Sequence, residues 1–279
     1  MIRLKDLNFQ YKDAPGFALT DINLSINEGG FVGIIGSSGA GKTTLTYALS
    51  GVVPHYYVGD FYGRAEVGGL DTIEAEPARL SQIVGSVFQD IDGQMVASIV
   101  EDELLFGLEN FGVPRGEIEE RMQMALDAMD IASLRKRAIA SLSGGQKQKV
   151  AIAAIVALKP KVLVLDEPTG ELDPRSSVMV FEMLKKLNRE FGMTIVVVEQ
   201  KIMLLCEYAQ RLIVMDKGKI LLDGQVRNVI QNIDSLTGAG VNAPRVASLA
   251  HELKARGLYK GQLPINVPEA ERMVREVLS

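Results

Sequence analysis

Three continuous apolar runs, each of strand length, divide this chain at residues 31–35, 162–165 and 195–198. Uninterrupted runs of aliphatic and β-branched residues are typical of parallel strands whose two faces are both covered. The alternating apolar positions over 22–26 instead predict a strand with one buried face. Shorter apolar stretches near the beginning of the chain, at 2–4 and 7–9, predict further strands. The pattern therefore indicates a β-rich first segment and a buried parallel sheet.

Helical patterns fill the spaces between these runs. The first buried run leads into a glycine-rich loop and a helix that begins near Gly41 and ends at Gly51, where a C-terminal glycine is common. Helical spacing also dominates residues 101–158. One apolar face in that region consists of Ile118, Met122, Ala125, Leu126 and Met129.

The later part of the chain continues this alternation. Asp173 and Pro174 predict the N-cap and first position of a helix that ends at Gly192. Residues 211–222 read as two short strands joined by a tight turn, which predicts a hairpin. Beyond residue 225 the sequence contains two proline-marked helical stretches and no chemical motif, so it predicts no function for that segment.

Composition excludes several classes of protein. The 279 residues are 47% hydrophobic and 23% charged, which is ordinary for one large domain or two coupled domains. A net charge of -5 argues against nucleic-acid binding through overall basicity. The single Cys206 cannot form an internal disulfide and is expected to be a buried thiol. We also expect a cytosolic protein, because the first residues lack a signal peptide and the longest apolar run, 150–158, is too short to span a membrane.

A glycine-rich loop follows the first buried run and fits the phosphate-binding pattern G-x-x-x-x-G-K-[ST]. The loop consists of Gly36, Ser37, Ser38, Gly39, Ala40, Gly41, Lys42 and Thr43. Its backbone N–H groups and the following helix N-terminus would attract phosphate oxygens. We expect Lys42 to reach the β- and γ-phosphates of ATP, Thr43 to hold Mg²⁺ and Thr44 to bond the α-phosphate. The loop alone does not establish this function, because so short a pattern also arises by chance.

Two acidic residues end the second buried run. Asp166 lies where ligands gather at the carboxyl end of a parallel strand, and it is expected to bind Mg²⁺. Glu167 would orient and deprotonate the attacking water. The alternative is that an acidic pair merely ends a buried strand, but the phosphate-binding loop makes the catalytic interpretation the better one.

A second glycine motif, Leu142–Ser143–Gly144–Gly145–Gln146, precedes a helix predicted over 146–158. Ser143 and the glycine N–H groups would form another anion-binding helix end. Because this chain's own phosphate loop does not need it, we expect it to contact the γ-phosphate of ATP held by a partner subunit. A simple helix cap is the alternative, but the five-residue string is more specific than a cap requires.

These motifs together resemble the ATP-binding cassette (ABC) ATPases over residues 1–225. The resemblance implies an α/β fold, a P-loop NTPase (RecA-like) core with an antiparallel β subdomain and an inserted helical signature subdomain at about 90–160. Residues 226–279 would form a C-terminal extension. The resemblance also implies that Tyr11 stacks on adenine, that Gln89 touches Mg²⁺ or the water, and that Asp173 communicates across a dimer.

One position departs from the family pattern. The family places a histidine after the third buried run, where it contacts the γ-phosphate, but this chain has Gln200 there. A glutamine side chain can form hydrogen bonds but cannot carry a positive charge. We therefore predict intact ATP binding and slowed hydrolysis, with adequate replacement of the histidine by Gln200 as the alternative.

Further phrases are similar to the energy-coupling factor (ECF) ATPases of prokaryotic vitamin and metal importers. They lie at 53–61, 88–104 and 142–149, and the chain resembles the cobalt/thiamine-precursor type. Residues 54–57 in the first phrase resemble members associated with thiamine precursors. The resemblance implies a peripheral protein at the cytoplasmic face of the membrane. Its partners would be a second ATPase in a hetero- or homodimer and a transmembrane coupling protein. That coupling protein in turn binds a substrate-capturing membrane protein.

Two other functions remain open. A soluble ATP-gated clamp in DNA repair or translation uses the same dimer closure, but the compact helical region, the single cassette and the acidic charge disfavour it. A regulatory subunit that barely hydrolyses ATP is consistent with Gln200. We therefore expect no nucleic acid among the partners.

Overall fold

The computed structural model describes residues 1–278. Its strands are β1 (Ile2–Tyr11), β2 (Leu19–Ile26), β3 (Phe31–Gly36), β4 (Gly59–Val67), β5 (Leu70–Asp71), β6 (Val84–Val87), β7 (Val162–Asp166), β8 (Thr194–Val198), β9 (Arg211–Asp216) and β10 (Lys219–Gln225). Its helices are α1 (Lys42–Ser50), α2 (Val52–His55), α3 (Pro77–Leu80), α4 (Val100–Asn110), α5 (Arg115–Ala128), α6 (Gly144–Ala157), α7 (Pro174–Phe191), α8 (Ile202–Tyr208), α9 (Val226–Ile230), α10 (Ile233–Gly238), α11 (Arg245–Ala255) and α12 (Val267–Leu278).

The strands form two sheets. One is antiparallel, with the order β2-β1-β4-β5. The other has the order β10-β9-β3-β8-β7-β6 and is parallel except for the β9–β10 hairpin at its edge. This is the α/β fold of P-loop NTPases with an added antiparallel sheet, as the sequence predicted.

The parallel sheet separates two apolar clusters. On β7, Val162 and Val164 belong to the cluster shared with the antiparallel sheet, whereas Leu163 and Leu165 belong to the cluster shared with the helices after residue 100. Successive side chains of a strand point to opposite faces. Both faces are therefore covered, which explains why the central strands appear in the sequence as continuous apolar runs.

Several predicted element ends are confirmed. Helix α1 lies between Gly41 (φ 96°) and Gly51 (φ 71°), and both glycines have left-handed backbone. Helix α7 begins after its N-cap Asp173 and ends at Gly192, which is also left-handed. The hairpin is present as β9 and β10. These ends are local features, so the sequence carried enough information to place them.

The beginning of the chain differs from the prediction. Residues 2–4 and 7–9 are not two strands but parts of the single strand β1. The ladder with β2 shifts register between Leu4 and Leu7, and Asp6 in this bulge has a φ of 49°. A bulge inserts an extra residue, so the apolar alternation breaks although the strand continues.

Helices α4, α5 and α6 follow β6 and precede β7 in the chain, and they pack against one another. The apolar face predicted on α5 is confirmed, because Met122, Ala125, Leu126 and Met129 are buried and Ile118 packs against the same cluster. Arg135, which follows α5, donates to Glu101 at 3.1 Å and to Glu119 at 2.6 and 2.8 Å. This ion-pair network joins α4, α5 and the chain that follows them.

The residues after β10 form α9 to α12, of which the sequence predicted only the last two. Their buried side chains include Leu236, Val241 and Leu263, and these belong to the same apolar cluster as Leu204 and Leu205 of α8. An ion pair between Arg227 and Glu269 (2.7 Å) ties α9 to α12. The C-terminal extension thus shares its core with the cassette.

Cys206 is buried in α8, and burial raises the pKa of its thiol to about 12, which confirms the expected inert core position. Among the helices of residues 1–278, none has both the length and the apolar character that a bilayer span requires.

The burial of α5 gives a first prediction. Leu126 has no exposed surface, so Leu126→Ala should lower the free energy of unfolding by roughly 2–5 kcal/mol through lost contacts and a cavity. Urea unfolding followed by circular dichroism measures the change. Glu120→Ala, at an exposed position of the same helix, is the control, and equal effects of the two substitutions would contradict the assignment of this face to the core.

Candidate nucleotide-hydrolysis site

The phosphate-binding loop joins β3 to α1. Gly41 needs its glycine, because its φ is 96° and an added Cβ would lie 2.6 Å from the carbonyl oxygen of Ala18. Gly39 also has a left-handed backbone, with a φ of 77°. These conformations wrap the loop around the N-terminus of α1, where backbone N–H groups face outward without helical partners.

The side chain of Lys42 is held inside this loop. It is 7% exposed, and its Nζ donates to the carbonyl oxygens of Gly36 and Ser37, both at 2.9 Å. The loop therefore encloses an ammonium group as well as a helix N-terminus. Both features attract an anion, which fits the phosphate-binding role expected of residues 36–44.

Asp166 at the end of β7 approaches the start of α1. It is 3% exposed and forms a side-chain hydrogen bond with Thr43. Burial raises the pKa of Asp166; the hydrogen bond from Thr43 opposes this shift, whereas the charge of Glu167 adds to it. A buried carboxylate beside a threonine hydroxyl supplies the hard oxygen ligands that Mg²⁺ prefers, so these residues fit the expected ion.

Glu167 meets two glutamine side chains. Gln200 Nε2 donates to Glu167 Oε1 at 2.7 Å, and Gln89 Nε2 donates to Glu167 Oε2 at 3.4 Å. The backbone N–H of Glu167 also bonds the carbonyl oxygen of Val198 at the end of β8. The structure thus brings together the three expected catalytic residues, although Gln89 and Gln200 lie 78 and 33 positions from Glu167 along the chain.

Gln200 is flanked by two residues that the motif analysis missed. Glu199 is 1% exposed, and it accepts hydrogen bonds from Thr169 Oγ1 and from the backbone N–H groups of Gln200 and Lys201. A charged residue directly after a buried strand was the available signal. Only the fold shows that its partner is Thr169, in the turn after β7.

Lys201 completes this connection. Its Nζ donates to the carbonyl oxygens of Thr169 (2.6 Å) and Leu172 (2.9 Å) and to Ser177 Oγ (2.8 Å). Leu172 immediately precedes Asp173. The segment after β8 is therefore fixed to the turn between β7 and α7, so that Gln200 and Asp173 are held in one framework.

The signature motif forms a helix cap. Ser143 Oγ accepts from the backbone N–H of Gln146, and Gln146 Oε1 accepts from the backbone N–H of Ser143 at 3.0 Å. This capping box places Gly144 and Gly145 in the first turn, so α6 begins at Gly144 and not at Gln146 as predicted. Ser143 and Gly144 are exposed, so the N-terminus of α6 is open to solvent.

Asp173 lies close to this exposed helix end. An added Cβ on Gly145 would be 3.5 Å from Ser176 Oγ, and Ser176 bonds Asp173 through both its N–H and its hydroxyl. The hydroxyl of Ser176, followed by backbone N–H groups, lowers the pKa of Asp173. The signature motif and Asp173 therefore form neighbouring parts of one surface.

Tyr11 lies beside Thr44, in the first turn of α1. Its hydroxyl shares a hydrogen bond of 3.1 Å with Thr44 Oγ1, and its ring makes edge contacts with Phe9 and Tyr57. Burial raises the pKa of its hydroxyl. Its role against adenine stays a prediction, since these contacts show only that an aromatic ring stands beside Thr44.

A cleft of 970 Å³ is lined by several of the candidate groups. They include Thr43, Asp166 and Glu167, together with Gly144 and Lys147 of α6. Its remaining lining residues are Tyr47, Phe88, Gln89, Asp90, Ile91, Asp92, Gln148, Gly170, Glu171, Leu172, Glu199, Gln200 and Lys201. The cleft therefore runs from the metal-binding candidates to the signature helix.

The family model described as "ABC transporter" matches residues 19–170, which contain the phosphate loop, the signature motif and the Asp166–Glu167 pair. The chain belongs to the ABC transporter family. The energy-coupling factor transporter ATP-binding protein EcfA1 of Caldanaerobacter subterraneus subsp. tengcongensis is 38% identical to it over 278 residues. That match covers 98% of this chain and 97% of the relative.

Two solved structures of ABC ATPases are also similar. The first is cbiO1 from Clostridium perfringens, part of the ABC transporter complex cbiONQ, with a TM-score of 0.76, 30% identity and coverage of 90% of this chain and 98% of that one. The second is the cassette MJ0796, a dimer in a post-hydrolysis state bound to ADP and Pi, with a TM-score of 0.71, 27% identity and coverage of 81% and 99%. This chain is thus an ABC ATPase of the ECF type.

The contacts of Lys201 give a second prediction. Lys201→Met keeps the aliphatic stem but removes three hydrogen bonds from a charged donor, and should lower the free energy of unfolding by about 2 kcal/mol. Denaturant titration measures this change. Lys219→Met, at an exposed position of β10, should have little effect, and a similarly small effect of Lys201→Met would show that the contacts do not stabilise the fold.

Proposed function

We propose that this chain is the ATP-binding subunit of a prokaryotic ECF-type importer. It binds ATP with Mg²⁺ and hydrolyses it at an interface between two ATPase subunits, which drives uptake of a vitamin or related micronutrient. The observation that carries the proposal is the meeting of Glu167 with Gln89 and Gln200 beside the Thr43–Asp166 pair.

The phosphate loop holds the nucleotide. Its backbone N–H groups and Lys42 bind the β- and γ-phosphates, and Thr44 bonds the α-phosphate. Lys42 exchanges its two carbonyl partners for phosphate oxygens, which are stronger acceptors because they are charged. Tyr11, beside Thr44, stacks on the adenine ring.

Thr43 and Asp166 would hold the Mg²⁺ ion, and Gln89 would contribute to its binding. When bound, Mg²⁺ would neutralise negative charge that develops during phosphoryl transfer. Burial and the charge of Glu167 raise the pKa of Asp166, while Thr43 and Lys42 oppose the rise, and a bound cation would also favour the charged carboxylate.

Glu167 orients the attacking water and accepts its proton. The two amide donors fix the direction of the carboxylate, since each glutamine bonds a different oxygen. Neither amide can carry a positive charge, so the position of Gln200 offers the γ-phosphate a weaker partner than a protonated histidine would. We infer that ATP binding is intact and hydrolysis is slowed. The same observation favours a second candidate, a regulatory subunit with weak hydrolysis.

A second ATPase completes the site. The exposed end of α6, with Ser143 and Gly144 at its tip, is suited to the γ-phosphate of ATP in the partner, and Asp173 lies next to it. The dimeric structure of MJ0796 supports this arrangement for a similar chain. The partner is either a second copy or a related ATPase with a fully equipped site.

The membrane partner is a transmembrane coupling protein. A groove beside Gln89 and the helical region about 90–160 would receive its cytosolic helices, and the coupling protein would bind the substrate-capturing membrane protein. Support comes from the similarity to cbiO1, a part of the cbiONQ complex. The chain would then lie at the cytoplasmic face of the membrane as a peripheral subunit, and its net charge of -5 disfavours nucleic acid as a partner.

Removing the proposed base tests the function directly. Glu167→Gln keeps an oxygen acceptor for Gln200 but cannot take a proton, so ATP turnover should fall by at least about 100-fold while the Kd for MgATP changes little. Phosphate release and isothermal titration calorimetry measure the two quantities. Glu190→Gln, at an exposed position of α7, is the matched control, and undiminished turnover in Glu167→Gln would refute the assigned role.

Restoring the family's histidine tests the slowed site. Gln200→His should raise turnover by up to about 100-fold, because a charged donor then stabilises the transition state, with little change in the Kd for MgATP. The double variant Gln200→His/Glu167→Gln should remain slow. A rise of less than about twofold in the single variant would mean that Gln200 already serves hydrolysis adequately, as in the alternative interpretation.

A further inference from the structure

A turn of the C-terminal extension reaches the phosphate-binding loop. Helix α10 ends in this turn, where the N–H of Gly240 bonds the carbonyl oxygen of Thr237 (3.0 Å) and that of Val241 bonds Leu236 (2.9 Å). Gly240 has a φ of 71°. These are the two hydrogen bonds and the left-handed residue of a Schellman motif, which fixes the direction of the turn.

Gly240 faces Ser37 with little room for a side chain between them. A Cβ built on Gly240 would lie 3.3 Å from Ser37 Cβ, and no other atom outside its neighbours lies within 4 Å. That separation is shorter than an ordinary van der Waals contact between carbon atoms. The absence of a side chain at residue 240 therefore permits a close approach to one specific residue of the phosphate loop.

Ser37 is important within that loop because its backbone positions other groups. Its carbonyl oxygen accepts from Lys42 Nζ at 2.9 Å and from the N–H of Ala40 at 3.1 Å. A displacement of Ser37 would thus move an acceptor of the ammonium group that is proposed to bind phosphate.

The turn is anchored firmly enough to support Ser37. Leu236, Ala239 and Val241 are 0%, 3% and 5% exposed, and they lie in the apolar cluster that includes Leu204 and Leu205 of α8. Burial of these three neighbouring side chains restricts the positions that Gly240 can take. The extension is therefore packed into the core of the cassette and not only attached to its surface.

We infer that the turn 237–241 is a positioning element for the phosphate-binding loop, and that packing of the C-terminal extension is energetically coupled to nucleotide binding. The turn holds Ser37 in place, and the carbonyl oxygen of Ser37 accepts a hydrogen bond from Lys42. Coupling of this kind is reciprocal, so bound nucleotide should also stabilise the turn. The inference rests on the proposed binding of ATP at this loop.

Gly257 provides a matched control within the same extension. It also has a φ of 71°, and its turn contains the equivalent hydrogen bonds, Gly257 to Lys254 (2.9 Å) and Leu258 to Leu253 (2.8 Å). An added Cβ on Gly257 meets nothing within 4 Å. Alanine at residues 240 and 257 therefore imposes the same backbone strain, and only the first presses on Ser37.

The affinity experiment compares these two variants. Gly240→Ala should weaken binding of MgATP by about 10-fold, whereas Gly257→Ala should bind like the unaltered chain, both measured by isothermal titration calorimetry on the full-length protein. Adding Ser37→Gly to Gly240→Ala removes the Cβ that is pressed, and should return the affinity to that of Ser37→Gly alone. Equal affinities of the two alanine variants, or failure of this rescue, would overturn the inference.

A second measurement needs no substitution. Hydrogen exchange of the amides of Gly240 and Val241 should slow on addition of ADP, while those of Gly257 and Leu258 should be unchanged, under conditions where ultracentrifugation shows the same oligomeric state with and without ADP. If ADP binds and the exchange at 240–241 is unchanged, the inference is overturned but the proposed function is not. Absence of any nucleotide binding by the unaltered chain overturns the proposed function, and the inference with it.

Discussion

The parallel alignment of β3, β8 and β7 is the constraint on which the candidate site depends. The three strands are neighbours in the sheet and run in the same direction, so their carboxyl ends meet at one edge. The phosphate loop follows β3, the Asp166–Glu167 pair ends β7, and Glu199 and Gln200 follow β8. Burial on both faces holds these strands in place. The residues of the short loops directly after them are therefore also restricted in position.

The site depends equally on contacts between the loops. Glu199 and Lys201 bind the turn after β7 on either side of Gln200, so the amide that meets Glu167 extends from a segment with few alternative positions. A catalytic group held in this way requires little reorganisation when charge develops. If hydrolysis is slowed as proposed, the reason would be chemical and not geometric, because Gln200 is held in place but uncharged.

The signature motif differs from these loops because it is exposed. Ser143 and Gly144 occupy a well-formed, exposed helix end, in which Ser143 bonds Gln146 and Lys147 of the same helix. An exposed helix N-terminus would suit an anion held by another subunit. The C-terminal extension adds a connection from the opposite direction, because its turn at Gly240 packs on the phosphate loop. The loop is thus contacted by its own extension, and in the proposed dimer it would also face the signature helix of the partner.

The sequence by itself determined the local features of this protein. Gly41 and Gly51 define α1, Asp173 and Gly192 define α7, and continuous apolar runs identify the central strands, because caps and burial patterns depend on near neighbours. It also suggested Asp166, Glu167 and Gln89 through the family motifs. Only the tertiary structure decided that Gln200 bonds Glu167, that Lys201 reaches Leu172 and that Gly240 faces Ser37. Those partners are about 30 to 200 positions apart, and only the packing of the sheet and its helices brings such groups together.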